Sequence, residues 1–291
     1  MKKILSTLGI LIILGIGFLI TNTDLFDNFG KDKTETIQTS EADKALINIK
    51  YDEKKHPENY TYLNDNKVTL TDDDKQILKE KGQSKAWQSY SNLDSLGRGQ
   101  KGTALVTKKS VVEHSSKYLK EHGLLYGDKK IYERPPFPSY VHVSGEYADG
   151  TFDSAKQRWK GQESNNGQTD LGSYKGWLYN KSHTIAWSLG GDMETHNVTL
   201  GTRAQNVGTG QDGGMGYAES QVRDAVMQNK NAKIFYDAKP VYNNNELVPR
   251  GTHVRAYSVN DDGQTLNLNI WVFNTQPGID IDYQTGKWSE K

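Results

Sequence analysis

Four side chains in the second half of the chain belong to the residue types that phosphate-ester chemistry uses. His183 follows an aromatic run at 177–179, Asn206 comes 23 residues later, and Glu219 and Arg223 stand four residues apart. A neutral imidazole titrates close to neutral pH and can accept a proton from water. An Asn carbonyl suits a hard cation such as Mg²⁺, and an arginine can stabilise charge on a phosphate. The sequence therefore contains the parts of a hydrolytic site.

Each of these residues also has an ordinary structural interpretation. One histidine among the seven in this chain is more often a surface or core residue than a catalyst. Glu219 and Arg223 have the i,i+4 spacing of an ion pair on a solvated helix face. Asn206, with glycines two and four residues after it, is also typical of a turn. Residue types alone leave these alternatives open.

A zinc hydrolase is a further interpretation of the same region. His183, Asp192 and His196 are side chains that could hold zinc in a metallohydrolase. The chain has no His-Glu-x-x-His pattern, which would place two histidines on one helix face. It also lacks cysteine, which excludes disulfides, thiolate zinc sites and a cysteine nucleophile.

Basic and aromatic residues alternate just upstream of His183. They are Lys156, Arg158, Lys160, Lys175 and Lys181, with Trp159, Tyr174 and Trp177. This mixture suits phosphate contacts combined with base stacking, although a solvated loop with anchoring aromatics has the same composition. No recognition helix or finger is evident, so base-specific readout is not expected. Basic and acidic residues both number 36, so a nucleic-acid site must be a local basic patch on a neutral protein.

The elements that would position these residues indicate an α+β fold with a mainly antiparallel sheet. Thr71 followed by three aspartates predicts a helix that closes at Gly82, and apolar residues at helical spacing predict a second helix over 215–228. An exposed loop is predicted at 161–176, and 247–251 is interpreted as a turn. A hairpin turn at 260–263 is expected to join the last two of the predicted strands. These strands are 103–107, 177–179, 233–242, 253–259 and 266–273.

The N-terminal segment has the composition of an export signal or a membrane anchor. Two lysines precede an apolar run from Ile4 to Ile20, and no Ala-x-Ala pattern follows it. The 17 residues of this run exceed the apolar part of an ordinary cleavable signal and reach the length of a spanning helix. We expect residues 1–22 to be a signal peptide or membrane anchor, with the anchor slightly favoured. Residues 23–60 have the polar composition of a linker, and 61–291 are expected to form the folded domain.

The run Tyr179-Asn180-Lys181-Ser182-His183 resembles the Asp-Arg-Gly-His motif of the non-specific DNA/RNA endonucleases. This variant of the motif is similar to the one in the streptococcal streptodornases and DNA-entry nucleases. Stretches at 90–98, 197–206 and 272–283 are similar to the same group, and the resemblance covers roughly residues 60–290 in consistent order. It implies that 61–291 is a nuclease domain with a ββα-metal (His-Me finger) active site.

The resemblance also implies a role for each candidate. His183 would be the general base, and Asn206 the protein ligand of Mg²⁺, for which Mn²⁺ could substitute. Glu219 would orient metal-bound waters, and Arg223 would stabilise the charge that develops on the phosphate. Asn197 would support the site, with simple turn formation as the alternative.

This chain departs from the wider family just before His183. Asn180-Lys181-Ser182 stands where the family has Asp-Arg-Gly, so Lys181 keeps a basic side chain while Asn180 can support the site only without charge. Lys181 is expected to contact substrate together with Lys175 and Arg158. The departure bears on the level of activity and its pH optimum, and leaves the reaction class unchanged.

Together these features predict an extracellular, metal-dependent endonuclease, secreted or anchored to the outer face of the cell membrane. It would act as a monomer on DNA, and on RNA as a further substrate, without sequence preference and leaving 5′-phosphate ends. A surface-displayed nucleic-acid-binding module without activity is the first alternative. A zinc hydrolase acting on another extracellular polymer is the second.

Overall fold

The computed structural model of the protein describes residues 37–123, 134–172, 175–210 and 212–291. The helices in these ranges are α1 (Glu41–Ile47), α2 (Asp72–Lys81), α3 (Lys108–Glu113), α4 (Ser116–Glu121), α5 (Arg203–Val207) and α6 (Gly214–Gln228). The strands are β1 (Tyr60–Tyr62), β2 (Trp87–Tyr90), β3 (Gly102–Thr107), β4 (Thr151–Asp153), β5 (Arg158–Lys160), β6 (Gln168–Asp170), β7 (Lys175–Trp177), β8 (Tyr179–His183), β9 (Val198–Thr202), β10 (Lys233–Val241), β11 (Gly251–Ser258), β12 (Asn267–Phe273), β13 (Ile279–Ile281) and β14 (Trp288–Glu290).

The largest sheet has six strands in the order β1-β12-β11-β10-β3-β2, and each neighbouring pair is antiparallel. This confirms the predicted α+β class with a mainly antiparallel sheet. Side-chain alternation along β10 separates the two faces of the sheet. Ile234 and Tyr236 join the core beneath α6, whereas Phe235 packs with Leu78 of α2 on the other face. The sheet is therefore covered by helices on both sides.

A buried ion network holds α2 against the sheet. Thr71 and Asp74 form a capping box at the start of the helix. Arg255 of β11 donates to both carboxylate oxygens of Asp74, at 2.7 and 3.0 Å, and lies 3.1 Å from Asp237 of β10. Burial alone would raise the pKa of Asp74, but hydrogen bonds from Arg255 and Thr71 bring that pKa below its ordinary value. The carboxylate is therefore ionised and paired at neutral pH.

Two strands and a helix form a separate ββα unit beside the large sheet. β8 and β9 pair antiparallel from Tyr179 opposite Thr202 to His183 opposite Val198, and α5 begins directly after β9. Thr202 ends β9 and also caps α5, because its side chain accepts from the Gln205 backbone N–H at 2.9 Å. Asn274 is buried just after β12. Its side chain accepts from the Thr202 N–H and donates to the Leu200 carbonyl of β9, so it joins the ββα unit to the large sheet.

Most predicted elements are confirmed. α2, β3, α6 and the strands β10, β11 and β12 lie within a residue or two of their predicted bounds. The turn at 260–263 joins β11 and β12, with Asp262 and Gly263 in the left-handed region at φ 56° and 77°. The turn at 247–251 joins β10 and β11 and buries Val248 completely.

Two predictions upstream of His183 are wrong. The predicted strand at 177–179 is two strands, because β7 pairs with β6 while β8 pairs with β9, and the chain changes partner at Leu178. The predicted exposed loop at 161–176 contains the β6–β7 hairpin, in which Thr169 and Leu171 are buried. Strands of three residues leave too short an alternation for the sequence pattern to reveal.

The linker prediction is wrong for residues 37–60, which belong to the compact unit 37–291. The backbone N–H groups of Ile37 and Thr39 bind the side chains of Asn245 and Asn244. Apolar side chains of 46–51 pack on the Trp271 side of the sheet. A few apolar contacts and side-chain hydrogen bonds are enough to hold a segment of polar composition against the large sheet. The predicted signal or anchor at 1–22, and 23–36 of the linker, lie outside the described residues.

None of the helices in the described ranges combines the length and apolar character that a bilayer crossing requires.

Replacing Arg255 by Leu should destabilise the protein by about 3–5 kcal/mol, because buried Asp74 then loses its cationic partner and buried Asp237 keeps only Lys101 at 3.5 Å. Lys75→Ala is the matched control, since the Lys75–Asp72 pair at 3.1 Å is exposed and should contribute less than about 1 kcal/mol. Urea unfolding at pH 7 measures both. Equal losses in the two variants would contradict a structural role for the buried network.

Candidate active site

His183 lies at the end of β8 with its ring almost covered. Its side chain is 8% exposed, and the ring stacks on Phe137 with centroids 5.1 Å apart. Nε2 lies 3.3 Å from the sulfur of Met193. Because a thioether sulfur is a weak acceptor, this contact suits an Nε2 that carries the proton and leaves Nδ1 with a lone pair.

The surroundings of His183 favour the neutral ring. Burial lowers the pKa of His183 to about 4, the positive charge of Arg134 acts in the same direction, and Asp192 opposes both. At neutral pH the imidazole is therefore unprotonated and able to accept a proton. This is the state that a general base requires before reaction.

Asn206 is brought to β8 by the direct passage from β9 into α5. Ser182 Oγ lies 3.2 Å from Asn206 Oδ1, and the Asn206 amide donates to Asn180 Oδ1 at 3.5 Å. Ser182 also donates to Gln205 Oε1 at 2.5 Å. The predicted site residues Asn180 and Asn206 are thus neighbours, and the serine that replaces the family glycine links β8 to α5.

The donor atoms beside Asn206 are amide and hydroxyl oxygens. Within the described residues, no group of three or more His, Cys, Asp or Glu side chains is arranged to hold a metal ion. Oxygen donors with few protein contacts fit a hard divalent cation that keeps most of its waters. The residues around Asn206 therefore fit Mg²⁺ better than a zinc site made of His and carboxylate ligands.

The zinc alternative from the sequence lacks the necessary geometry. His196 Nε2 contacts Asp192 Oδ2 at 2.8 Å, but His183 directs its Nε2 to the sulfur of Met193. His196 also stacks on Tyr90, with centroids 4.4 Å apart. His196 and Asp192 form a local pair that braces the segment between β8 and β9.

Asn197 is a buried support for the segment that follows His183. Its side chain is fully buried, and its Oδ1 accepts from the Ile185 N–H at 2.8 Å and from the Thr184 hydroxyl at 2.7 Å. Its Nδ2 donates to the carbonyls of Ile185 and Asp192, at 2.9 and 2.8 Å. Four bonds from one amide favour network support over the turn-forming alternative.

Glu219 and Arg223 lie one turn apart on α6, as predicted. No ion pair joins them within 4.0 Å in the described parts of the chain, so the surface-pair interpretation is not realised. Burial raises the pKa of Glu219 to about 7, while Arg223 and Arg134 act to lower it. Glu219 also helps to raise the pKa of Tyr236 beneath the helix. The Glu219 residue is half-buried, and its carboxyl lies within electrostatic range of Tyr236, Arg223 and Arg134.

A cleft of about 630 Å³ opens in front of Asn180 and Asn206. Arg134 and Arg203 line it, and sequence reasoning missed both. Arg134 is the first residue of the described range 134–172 and directly precedes the prolines at 135–136. The sequence indicated only loop character there. Arg203 directly follows the strand residue that caps α5, and this position at the start of the helix is the signal that could have identified it.

The three predicted substrate-contact residues have different surroundings. Lys181 borders the cleft, but its ammonium donates to the Val141 carbonyl at 2.5 Å and lies 3.3 Å from Glu146. Lys175 is exposed at the start of β7. Arg158 covers the ring of Tyr140 at 4.2 Å and borders another depression together with Glu194 and His196. The structure therefore brings Lys181 to the cleft in a paired state and leaves Arg158 outside it.

The aromatic residues of the same stretch also differ in exposure. Trp159 is buried, and its indole donates to the Gly97 carbonyl at 2.7 Å. Trp177 is 56% exposed and borders the cleft. Trp177 is available for stacking, whereas Trp159 is a core residue. Tyr174 lies outside the described residues.

Residues 141–260 match the family model of the DNA/RNA non-specific endonucleases. The chain carries a domain of this family. The match contains β8, β9, α5 and α6, and with them every candidate from His183 to Arg223. The resemblance inferred from the motif around His183 is confirmed.

Known proteins agree with this assignment. A deoxyribonuclease from Streptococcus dysgalactiae subsp. equisimilis is 33% identical over 208 residues, or 68% of this chain and 59% of that protein. The Sda1 nuclease, solved with a bound zinc ion, superposes with a TM-score of 0.64 at 26% identity, covering 83% of this chain and 100% of Sda1. NucA from Streptococcus agalactiae, solved with a magnesium ion, has a TM-score of 0.53 at 22% identity, covering 80% of this chain and 88% of NucA. The domain has the fold of these nucleases.

Asn197→Ala should lower the free energy of unfolding by about 3 kcal/mol, because a buried N–H and two buried carbonyls lose their partner. The exposed Asn92 provides the control, and Asn92→Ala should change stability by less than about 0.5 kcal/mol. Chemical denaturation at pH 7 measures both variants. A stability loss no larger for Asn197→Ala than for Asn92→Ala would exclude the network.

The lowered pKa of His183 predicts a pH-dependent stability difference. The unfolded histidine has a pKa near 6.5 and binds a proton as pH falls, whereas the folded one resists protonation down to about pH 4. Stability contributed by the neutral ring is thus complete above pH 6.5 and is lost between pH 6.5 and 4. Between pH 7 and 4 the wild type should lose about 3 kcal/mol more than His183→Gln.

Urea unfolding across this pH range provides the test of His183. The exposed His122 serves as control, and His122→Gln should keep the wild-type pH dependence. Parallel curves for the wild type and His183→Gln would contradict a buried neutral imidazole.

Proposed function

We propose that this protein is a magnesium-dependent endonuclease that hydrolyses DNA, and RNA as a further substrate, without sequence preference. The observation that carries the proposal is the neutral, buried His183 at the end of β8, in a ββα unit whose helix presents Asn206 to a cleft with Arg134 and Arg203. Membership of the endonuclease family supports the same reaction class.

His183 acts as the general base through Nδ1, since Nε2 faces Met193. A water oxygen attacks the phosphorus while His183 accepts the proton of that water. The bond between phosphorus and the 3′ oxygen breaks, and the departing 3′ oxygen takes a proton from solvent. The phosphate stays on the 5′ oxygen of the downstream nucleotide. The stacked ring of Phe137 keeps the imidazole plane in one orientation during proton transfer.

Asn206 would hold the cation through its amide oxygen, with Asn180 Oδ1 as a neighbouring acceptor. A Mg²⁺ ion bound there, or Mn²⁺ in its place, would supply Lewis-acid stabilisation of the phosphate and of the departing oxygen. Ser182 gives its single proton to Gln205 Oε1 and lies beside Asn206 Oδ1 at 3.2 Å, so the bond from the Asn206 amide to Asn180 Oδ1 is what orients Asn206. The zinc in Sda1 supports a divalent-metal site in this family, and the oxygen donors of this chain favour Mg²⁺.

Glu219 would orient the waters of a bound cation by accepting hydrogen bonds from them, and its half-buried carboxyl lies within electrostatic range of Arg223 and Arg134. Arg223 and Arg134 neutralise charge on the phosphate as it develops. Arg203 borders the cleft and extends the phosphate contacts. Lys175 contributes at the exposed edge, while Lys181, already bonded to Val141 and Glu146, serves as a support for the wall of the cleft.

The side chains around the cleft support binding without base readout. Arginines contact phosphates of any sequence, and the exposed ring of Trp177 can stack on any base. No helix of a recognition type accompanies them in the described residues. The enzyme is proposed to work outside the cell as a monomer, secreted or held by residues 1–22, and mass spectrometry of the native N-terminus distinguishes these two states.

His183→Ala should reduce cleavage of supercoiled plasmid by about 10²–10⁴-fold, because the water loses its proton acceptor. Added imidazole should restore part of the activity, and EDTA should abolish it in the wild type. Gel electrophoresis of timed digests in the presence of excess Mg²⁺ measures the rates.

The exposed histidine of α4 gives the matched control, since His122→Ala should cleave plasmid at the wild-type rate. A fully active His183→Ala protein would overturn the assignment of the base. A wild-type protein that leaves plasmid and RNA intact with Mg²⁺ and Mn²⁺ would favour a binding module without activity.

A further inference from the structure

A second cleft, of about 740 Å³, lies at the far end of α6 from Asn206. It is bordered by the segment before β2, the start of α3, the turn between α6 and β10, and the turn after β11. Five lysines and one glutamate line it, although basic and acidic residues balance over the whole chain. The lysines are Lys85, Lys108, Lys109, Lys230 and Lys233.

Most of this positive charge is not neutralised within the protein. Glu113 lies 3.7 Å from Lys109. Among the described residues, no carboxylate approaches Lys85, Lys230 or Lys233 within 4.0 Å. Three ammonium groups in one concave surface repel each other, so an anion in the cleft would relieve the repulsion.

The lining of the cleft indicates the chemistry of the anion. Ser84, Asn231 and Asn260 offer short polar side chains beside the lysines, a combination that suits phosphate oxygens. Among the residues that the structure describes, no aromatic or large aliphatic side chain lines the cleft. Base stacking and the apolar anchors of a protein interface are therefore both lacking. A phosphate backbone whose bases stay stacked, as in a duplex, fits this surface.

The two ends of α6 connect this cleft to the candidate active site. At its start, Gly216 approaches the backbone of Asn206, with 3.5 Å from an ideal Cβ to the Asn206 carbonyl oxygen. Near its end, the Met227 carbonyl accepts from Lys108 at 3.4 Å. α6 has 15 residues and is therefore about 22 Å long. At about 3.4 Å per base pair, this distance equals about six or seven base pairs of duplex.

We propose that the cleft formed by Lys85, Lys230 and Lys233 binds the phosphate backbone of a duplex substrate several base pairs from the scissile bond. This rests on the proposed nuclease function, because the bound polymer is its substrate. The cleft increases affinity for long duplexes and takes no part in the reaction. Cleavage of duplexes too short to reach it does not depend on these lysines.

Binding is tested first, and separately from catalysis. The full chain with His183→Ala is titrated against a fluorescent duplex of about 20 base pairs at several salt concentrations. Adding Lys85→Gln, Lys230→Gln and Lys233→Gln should weaken binding at least about tenfold at low salt and reduce the salt slope by about 3. The control carries Lys50→Gln, Lys54→Gln and Lys287→Gln, three exposed lysines elsewhere, and should keep the parent slope.

Cleavage is tested second, in the chain with native His183. The cleft variant should raise KM for the duplex of about 20 base pairs while its kcat stays at the wild-type value, and duplexes of about six base pairs should be cut as by the wild type. An unchanged salt slope in the cleft variant would overturn the proposal even if the wild type cuts DNA. Loss of cleavage in the wild type, with the slope change intact, would instead contradict the proposed function and leave the duplex site supported.

A different anion would also be detected. If the cleft variant binds DNA normally but loses affinity for vesicles rich in phosphatidylserine relative to the lysine control, the cleft recognises a membrane surface and the duplex proposal is wrong.

Discussion

The four hydrogen bonds of the buried Asn197 amide are the constraint on which the candidate site depends. They join the chain just beyond His183 to Asp192 and to the residue that precedes β9. Without them, the segment between the two strands would have buried peptide groups and no partner for them. Because the amide closes this segment, β8 ends at a fixed place and presents the imidazole beside Met193 and Phe137. The network requires one buried polar side chain, and all four hydrogen-bonding positions of its amide are occupied.

The sequence predicted the large elements because their patterns are long. α6 and β10 have 15 and nine residues, and each shows its buried face through many repeats of its period. The order of residue types along the chain and the family resemblance identified the four main candidates. The structure places His183 and Asn206 in one ββα unit, and Glu219 and Arg223 on the next helix, α6. Their chemical roles remain proposals that the activity measurements address.

Other features could not be predicted because they depend on contacts between distant parts of the chain. Arg134 reaches the electrostatic surroundings of both His183 and Glu219, although it is 49 residues from the first and 85 from the second. The pairing of Lys181 with Glu146 and the burial of Trp159 are likewise invisible in a local pattern. Polar composition was misleading for residues 37–60, since side-chain bonds to Asn244 and Asn245 and the packing of apolar residues at 46–51 together hold that segment on the large sheet.

Thr202 is both the last residue of β9 and the cap of α5. This double role restricts where related chains can gain or lose residues. No linker separates the strand from the helix, so an inserted or deleted residue between Val198 and Asn206 cannot be absorbed by slack in a loop. One extra residue within α5 would turn Asn206 by about 100° around the helix axis and away from Ser182. The interval from Asn197 to Asn206 is therefore a fixed length. Differences in length among related enzymes should fall outside this interval.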